Sequence, residues 1–114
     1  MSIEPEILAL LEDLKGRLRR RFGDRFDALY LFGSRARGDA EPDSDVDVAV
    51  LLKGRLPERP FRVTREILED AYDLLLETGL DTQPWPLEEG SLDEPEAHPY
   101  PTVSRAVRRE GIAV

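Results

Sequence analysis

Leu29 to Val50, LYLFGSRARGDAEPDSDVDVAV, constrains this chain more than any other stretch. An apolar run, Leu29 to Phe32, breaks at Gly33-Ser34. Two arginines, a second glycine and an acidic turn follow, and Asp45 and Asp47 then alternate with Val46, Val48 and Val50. Extended backbone repeats its side-chain direction every two residues, so Asp45 and Asp47 share one face and the valines share the other. The pattern predicts a strand ending in Gly-Ser, a short glycine-bounded turn, and a second strand that opens with paired carboxylates. Taken singly, each piece has an ordinary reading: Gly33 and Gly38 as turn glycines, Asp-x-Asp as alternating acids on a solvated strand. Together they set backbone amides, a hydroxyl and two acids side by side, which suits a phosphate on the amides and a divalent cation on the acids.

The flanking sequence supplies helices on either side of this unit. Ile3, Ile7, Leu10, Leu11, Leu14 and Leu18 recur at three and four residues and predict a helix over 4–21, with Ser2 as a cap, Pro5 in the first turn and arginines at the end. Gly23-Asp24 ends it, and Phe26 to Phe32 is aliphatic and aromatic enough for an interior strand. Residues 34–38 read as a short helical turn with Ser34 as N-cap, 39–44 as a loop, and 45–52 as the second strand. After a loop over 53–60, Thr64, Ile67, Leu68, Ala71, Leu74 and Leu75 predict a helix over 61–77 closed by Gly79 in a left-handed C-cap. A third strand falls within 80–87, where Pro84 and Pro86 favour an edge position. A last helix over 102–110, capped by Thr102 and ended by Gly111, shows Val103 and Val107 on one face. Trp85 and Tyr100 are the aromatics that would anchor this tail.

Composition narrows the class. The chain has 114 residues, enough for one α/β domain with a single core. A formal charge of -8 argues against coating nucleic acid through a broad basic surface, so no direct nucleic-acid binding is expected. The arginine clusters at 17–21 and 105–109 read as solvated helix faces. No cysteine is present, which removes disulfides and thiolate catalysis and leaves structural zinc without its usual ligands. No apolar run approaches the length of a membrane span, and Glu4 and Glu6 stand where a secretory signal carries positive charge. A cytoplasmic protein without membrane association is the expectation.

Gly33-Ser34-Arg35-Ala36-Arg37-Gly38, followed by Ser44-Asp45-Val46-Asp47, resembles the signature of the minimal nucleotidyltransferase family, the small prokaryotic branch of the polymerase-beta-like superfamily. That resemblance implies a small mixed sheet of three or four strands backed by two long helices, a single minimal domain over 1–114. It also implies transfer of a nucleoside monophosphate from a nucleoside triphosphate, usually ATP, with Mg2+ as cofactor and pyrophosphate released. Gly33 and Ser34 match the pair that holds the triphosphate, and Asp45 and Asp47 match the metal-binding pair. Gly38 bounds the same turn. Arg35 and Arg37 occupy its variable part, where they can reach phosphate or form salt bridges on a solvated turn.

Active relatives usually contribute a third carboxylate from a neighbouring strand. Asp81 is the only acid in GLDTQPWPL, and a register that set Gln83 or Thr82 opposite the acid pair would leave the general base missing. Asp81 is thus the candidate third ligand and base. His98, the lone histidine, lies in a Pro-rich loop and reads as a surface or tail-packing residue. Many members of the family accompany a helical HEPN-domain protein as toxin and antitoxin, the transferase adenylylating its partner. The resemblance therefore implies a HEPN-type partner, and a catalytically weak nucleotide-binding or partner-binding module is the alternative of a different class.

Overall fold

Glycine and proline divide the chain into the segments that its apolar periodicity describes. The computed structural model describes residues 3–114, so the proposed Ser2 cap lies outside the described residues. Helix α1, Pro5–Phe22, begins with its proline in the first turn and buries Ile7, Leu10, Leu11, Leu14 and Leu18. Strand β1, Phe26–Phe32, leads through Gly33 into α2, Ser34–Arg37. Strand β2 spans Val46–Leu52 and helix α3 spans Phe61–Thr78, the latter closed by Gly79 in the left-handed conformation. Strand β3, Thr82–Leu87, helix α4, Pro101–Glu110, and strand β4, Ile112–Ala113, complete the chain.

The sheet has the order β3-β2-β1-β4. β1 is antiparallel to β2 and to β4, whereas β2 and β3 run parallel. This is the mixed sheet of the polymerase-beta-like nucleotidyltransferase core, with four strands. β1 is interior and β3 is an edge, as the apolar run and the two prolines require. β4 has only two residues and therefore no period by which sequence could show it. The backbone N–H of Val114 donates to the carbonyl of Leu29, and Lys15 Nζ donates to the carbonyl of Val114.

Strand alternation gives the sheet two different faces. Leu29, Leu31, Val46, Val48, Val50 and Leu52 pack with α1 and with Val63, Ile67 and Leu74 of α3. At about 25 cal/mol per Å² of apolar surface removed from water, this layer dominates the stability of the domain. The opposite face carries Phe32, Ala49 and Leu87 beneath Val107 of α4, with Tyr100 and Val103 beside them. Asp47 shares that second face with Ala49, which places the acid end of β2 next to α4.

Local details depart from the sequence expectations. Gly33, not Ser34, is the N-cap of α2, because positive φ at residue 33 starts the turn one residue earlier. Tyr100, at φ 59°, precedes α4, and no side chain caps that helix; Thr102 is already within it. On α3, Val63 is buried while Thr64 is half-buried and Leu68 exposed, since the helix turns the Ile67–Leu74 line toward the sheet. The arginines of α1 tie the two long helices together. Arg17 contacts Glu77 at 3.0 Å and Arg21 contacts Asp70 at 2.9 Å, exposed pairs worth about 0–1 kcal/mol each.

Candidate functional site

β1 delivers the chain to the site at Phe32, whose cross-strand partner on β2 is Asp47. Gly33 then turns at φ 75°, in a region that side chains other than glycine enter only with strain. A Cβ at residue 33 would overlap the Asp47 carboxylate. Glycine is therefore required twice at this position, for its backbone angle and for the space that the acid occupies. The carbonyl of Gly33 accepts from the N–H groups of Ala36 and Arg37, both at 3.0 Å. The amides of Ser34 and Arg35, at the first two helical positions, have no intrahelical acceptor.

The two arginines of the turn have separate fates. Arg35 is almost wholly buried: its Nη2 donates to the carbonyls of Pro42 at 3.2 Å and Ser44 at 3.0 Å, and its Nη1 lies 3.8 Å from Glu4. The guanidinium thereby holds the loop that carries the chain into Asp45. Its Nε is buried with no hydrogen-bond partner. Arg37 is half exposed, with Nη1 donating to Glu110 at 2.9 Å and Nε donating to Asp39 at 3.2 Å. Of the pair, Arg37 is the one placed where a phosphate could meet it.

Asp45 is exposed just before β2, and Asp47 is half-buried within it. Burial raises the proton affinity of Asp47, the neighbouring charge of Asp45 raises it further, and Arg37 opposes both. Glu110 adds to the upward shift. A divalent cation would remove this conflict, because it favours both ionised carboxylates at once. Two hard oxygen donors beside the glycine turn fit Mg2+, an ion commonly held by one or two carboxylates together with substrate phosphates.

The parallel register of β3 decides what faces these acids. Thr82 is level with Val46, and Gln83 is level with Asp47. Asp81 lies one residue before the strand, exposed, and its carbonyl accepts from the N–H of Val46 at 2.8 Å. The same register carries Asp81 level with Asp45. Among the described residues no three acids or histidines gather as a metal-binding cluster, so Asp45 and Asp47 stand as a pair. Gly38 ends α2 in the left-handed conformation, away from the acids' immediate contacts.

Glu110 is the residue the sequence reading passed over. Its side chain is only 9% exposed, at the C-terminal end of α4, where a helix dipole disfavours negative charge. An acid in that position after Arg108 and Arg109 was the available signal. His98 also has a more defined setting than a surface residue: Nδ1 lies 2.5 Å from Glu88 Oε2, and Glu88 Oε1 accepts from the N–H of Leu56 at 2.9 Å. That cluster lies past the C-terminal end of β3, at the other end of the sheet from the paired acids, and makes no part of the site.

Comparison with known proteins places this geometry. Residues 11–100 match the family described as "Nucleotidyltransferase domain". Two proteins of Methanocaldococcus jannaschii, provisionally named protein adenylyltransferases MJ0141 and MJ1305, are similar in sequence. The first is 42% identical over 42% of this chain and 48% of its own length, the second 31% identical over 66% and 50%. The chain thus spans about half the length of these curated relatives. Among solved structures, a provisionally named nucleotidyltransferase from Sulfolobus solfataricus superposes with a TM-score of 0.58 at 22% identity, covering 95% of this chain and 78% of that one. A toxin–antitoxin complex with AMP-PNP gives 0.59 at 24% identity, covering 90% and 70%. At these identities the structural likeness is one of fold. The family match covers most of the chain, including the Gly33-Ser34 turn, Asp45 and Asp47, and the chain belongs to the nucleotidyltransferase-domain family.

Proposed function

We propose that this domain is a Mg2+-dependent nucleotidyltransferase that moves AMP from ATP to a hydroxyl group, on a partner protein or a small molecule. The observation that carries the reading is the placement of Asp47 against the glycine of the Gly33-Ser34 turn, with Asp45 two residues before it at the entrance to the strand. Asp45 and Asp47 would hold the ion, which when bound supplies a Lewis acid for the triphosphate. The Ser34 hydroxyl, the first amides of α2 and the Arg37 guanidinium bind and orient the phosphate oxygens. Arg35 acts at one remove, by fixing the loop before Asp45.

The reaction forms a bond between the acceptor oxygen and the α-phosphorus and breaks the bond from that phosphorus to the bridging oxygen, so that pyrophosphate leaves. The acceptor's proton passes to a carboxylate or to water. Asp81, level with Asp45, is the carboxylate of this chain assigned to that step. The provisional adenylyltransferase names of the two M. jannaschii proteins support AMP as the group transferred. The fold shared with toxin–antitoxin complexes supports a toxin as the partner, and the HEPN type rests on the resemblance carried by the Gly33–Asp47 stretch.

One observation favours a second reading. Gln83, not an acid, is level with Asp47, which suits a weak or inactive enzyme that binds nucleotide or partner through the retained fold. Calorimetric titration of ATP with magnesium into the wild type, Asp45→Asn and Asp47→Asn tests the site. Binding that needs both acids supports it, and binding unchanged in both variants rejects it. Labelled-ATP transfer to a copurified partner separates the two readings, since binding without transfer to any acceptor belongs to the second.

A further inference from the structure

Helix α3 presents a second apolar face that the domain does not cover. Phe61 is 53% exposed, Leu68 41%, Tyr72 58% and Leu76 68%. With Arg65 they form a row at four, three, four and four residues along one side of the helix, the spacing of a helix-pairing seam. A hollow of about 410 Å³ lies beside the N-terminal part of this row, lined by Phe61, Leu68, Trp85 and Tyr100. An exposed row of large apolar side chains bordering an open hollow marks a docking surface rather than scattered surface hydrophobes.

The occupant is not a strand. Val46 N–H donates to the carbonyl of Asp81, so alternation directs residues 81, 83, 85 and 87 toward β2 and residues 82, 84 and 86 of the edge strand outward. Two of these three positions, 84 and 86, are proline, which has no N–H to offer, so a further strand would find only the Thr82 donor.

Charge identifies the occupant. Arg62 and Arg65 stand at the N-terminal end of the row, and among the described residues neither has an ion-pair partner. Glu69, at mid-helix, is paired with Arg21 at 3.3 Å, whereas Asp73 stands toward the C-terminal end and is well exposed. Asp73 is held only by a 4.0 Å approach to Arg17. A helix basic at one end and acidic at the other, along one apolar row, complements itself when two copies run antiparallel. We infer that the α3 face is the interface of a homodimer in which two copies of this chain pair their α3 helices antiparallel about a twofold axis near Leu68. Phe61 then meets Leu76 of the second copy, which enters the hollow, and Arg65 meets the ring of Tyr72. Arg62 faces Asp73, and the symmetry makes each pair twice. These local pairs set the register, apolar burial drives the association, and physiological salt screens the repulsion between two chains of charge -8.

Analytical ultracentrifugation of the full chain across the micromolar range tests the interface, with the thermal melt of each variant confirming that it folds. The expected result is a dimer for the wild type, a monomer for Leu68→Glu, and a dissociation constant raised about tenfold or more for Arg62→Asp. Combining Arg62→Asp with Asp73→Arg should recover at least half of that loss on a logarithmic scale, because it exchanges the two charges across the same contact. A wild type that stays monomeric throughout overturns the inference, including one whose α3 face is taken by a different protein. A dimer that survives Leu68→Glu overturns the surface, and a double variant no better than Arg62→Asp overturns the antiparallel register.

Discussion

Gln83 stands level with Asp47 across the parallel β2–β3 pair, and this one register position governs how the site can handle a proton. On the proposed function the two acids hold metal and nucleotide, but the acceptor hydroxyl still has to be deprotonated. On the proposed assignment Asp81 takes that proton. Asp81→Asn should then leave ATP binding nearly intact while cutting the transfer rate by about 100-fold, the lower range for loss of a positioned base. Single-turnover transfer at saturating ATP and magnesium measures it. An unchanged rate removes Asp81 from the chemistry and leaves water or an acceptor-borne group as the base.

Asp47 should weaken the fold while serving the site. Its proton affinity is raised, first by burial and then by Asp45. A raised native pKa means the folded state binds this proton more tightly than the unfolded chain. Stability from this group is then greatest at low pH and falls as pH rises from the unfolded value through the raised native one. At neutral pH the ionised side chain costs stability, so Asp47→Asn should raise Tm by a few degrees without metal. Magnesium with ATP should raise the Tm of the wild type and not that of the variant. A lower Tm for Asp47→Asn in metal-free buffer would contradict the assignment.

Gly33→Ala should fail on both grounds that make glycine necessary. Strain at φ 75° costs about 1–3 kcal/mol, and the added methyl displaces the Asp47 carboxylate. Chemical denaturation should show the loss of stability. Calorimetry on the remaining folded protein should show metal-dependent nucleotide binding lost as well. A variant that is destabilised yet binds ATP normally would separate Gly33 from the site.

The Glu88–His98 pair predicts a pH dependence of the opposite sign, at the other end of the sheet. Burial pushes the Glu88 carboxyl up, but hydrogen bonds from His98 and from the Leu56 amide outweigh it and hold the group below its ordinary range. A depressed native pKa gives stability above the unfolded value that is lost as pH falls through the native one. Glu88→Gln should therefore cost about 1–3 kcal/mol at pH 7, with the difference from wild type shrinking in acid. Urea denaturation at two pH values checks it, and nucleotide binding should be unaffected.

The backbone of the site was legible because its residues obey two short rules. Period two in Asp45–Val50 separated acids from core, and glycine marked the strand end at Gly33. The helices followed from their apolar repeats, although exposed Leu68 shows that an apolar residue at helical spacing need not face the core. What sequence could not supply was the relation between distant segments. Arg35 and Arg37 are alike as letters and differ only because the 39–44 loop folds over one of them. Glu110 joins Arg37 across 73 positions, a pairing that no local pattern reports. The register that sets Gln83 beside Asp47 lies in a strand whose prolines blur any alternation.

Whether Asp45 and Asp47 carry nucleotide transfer is read by following α-labelled ATP with magnesium in the presence of a partner copurified from the native host. The expected result is label on the partner, with the added mass of AMP and one pyrophosphate released per AMP, and no label with Asp47→Asn. Equal labelling by Asp47→Asn, or nucleotide bound by the wild type and never transferred, would contradict it.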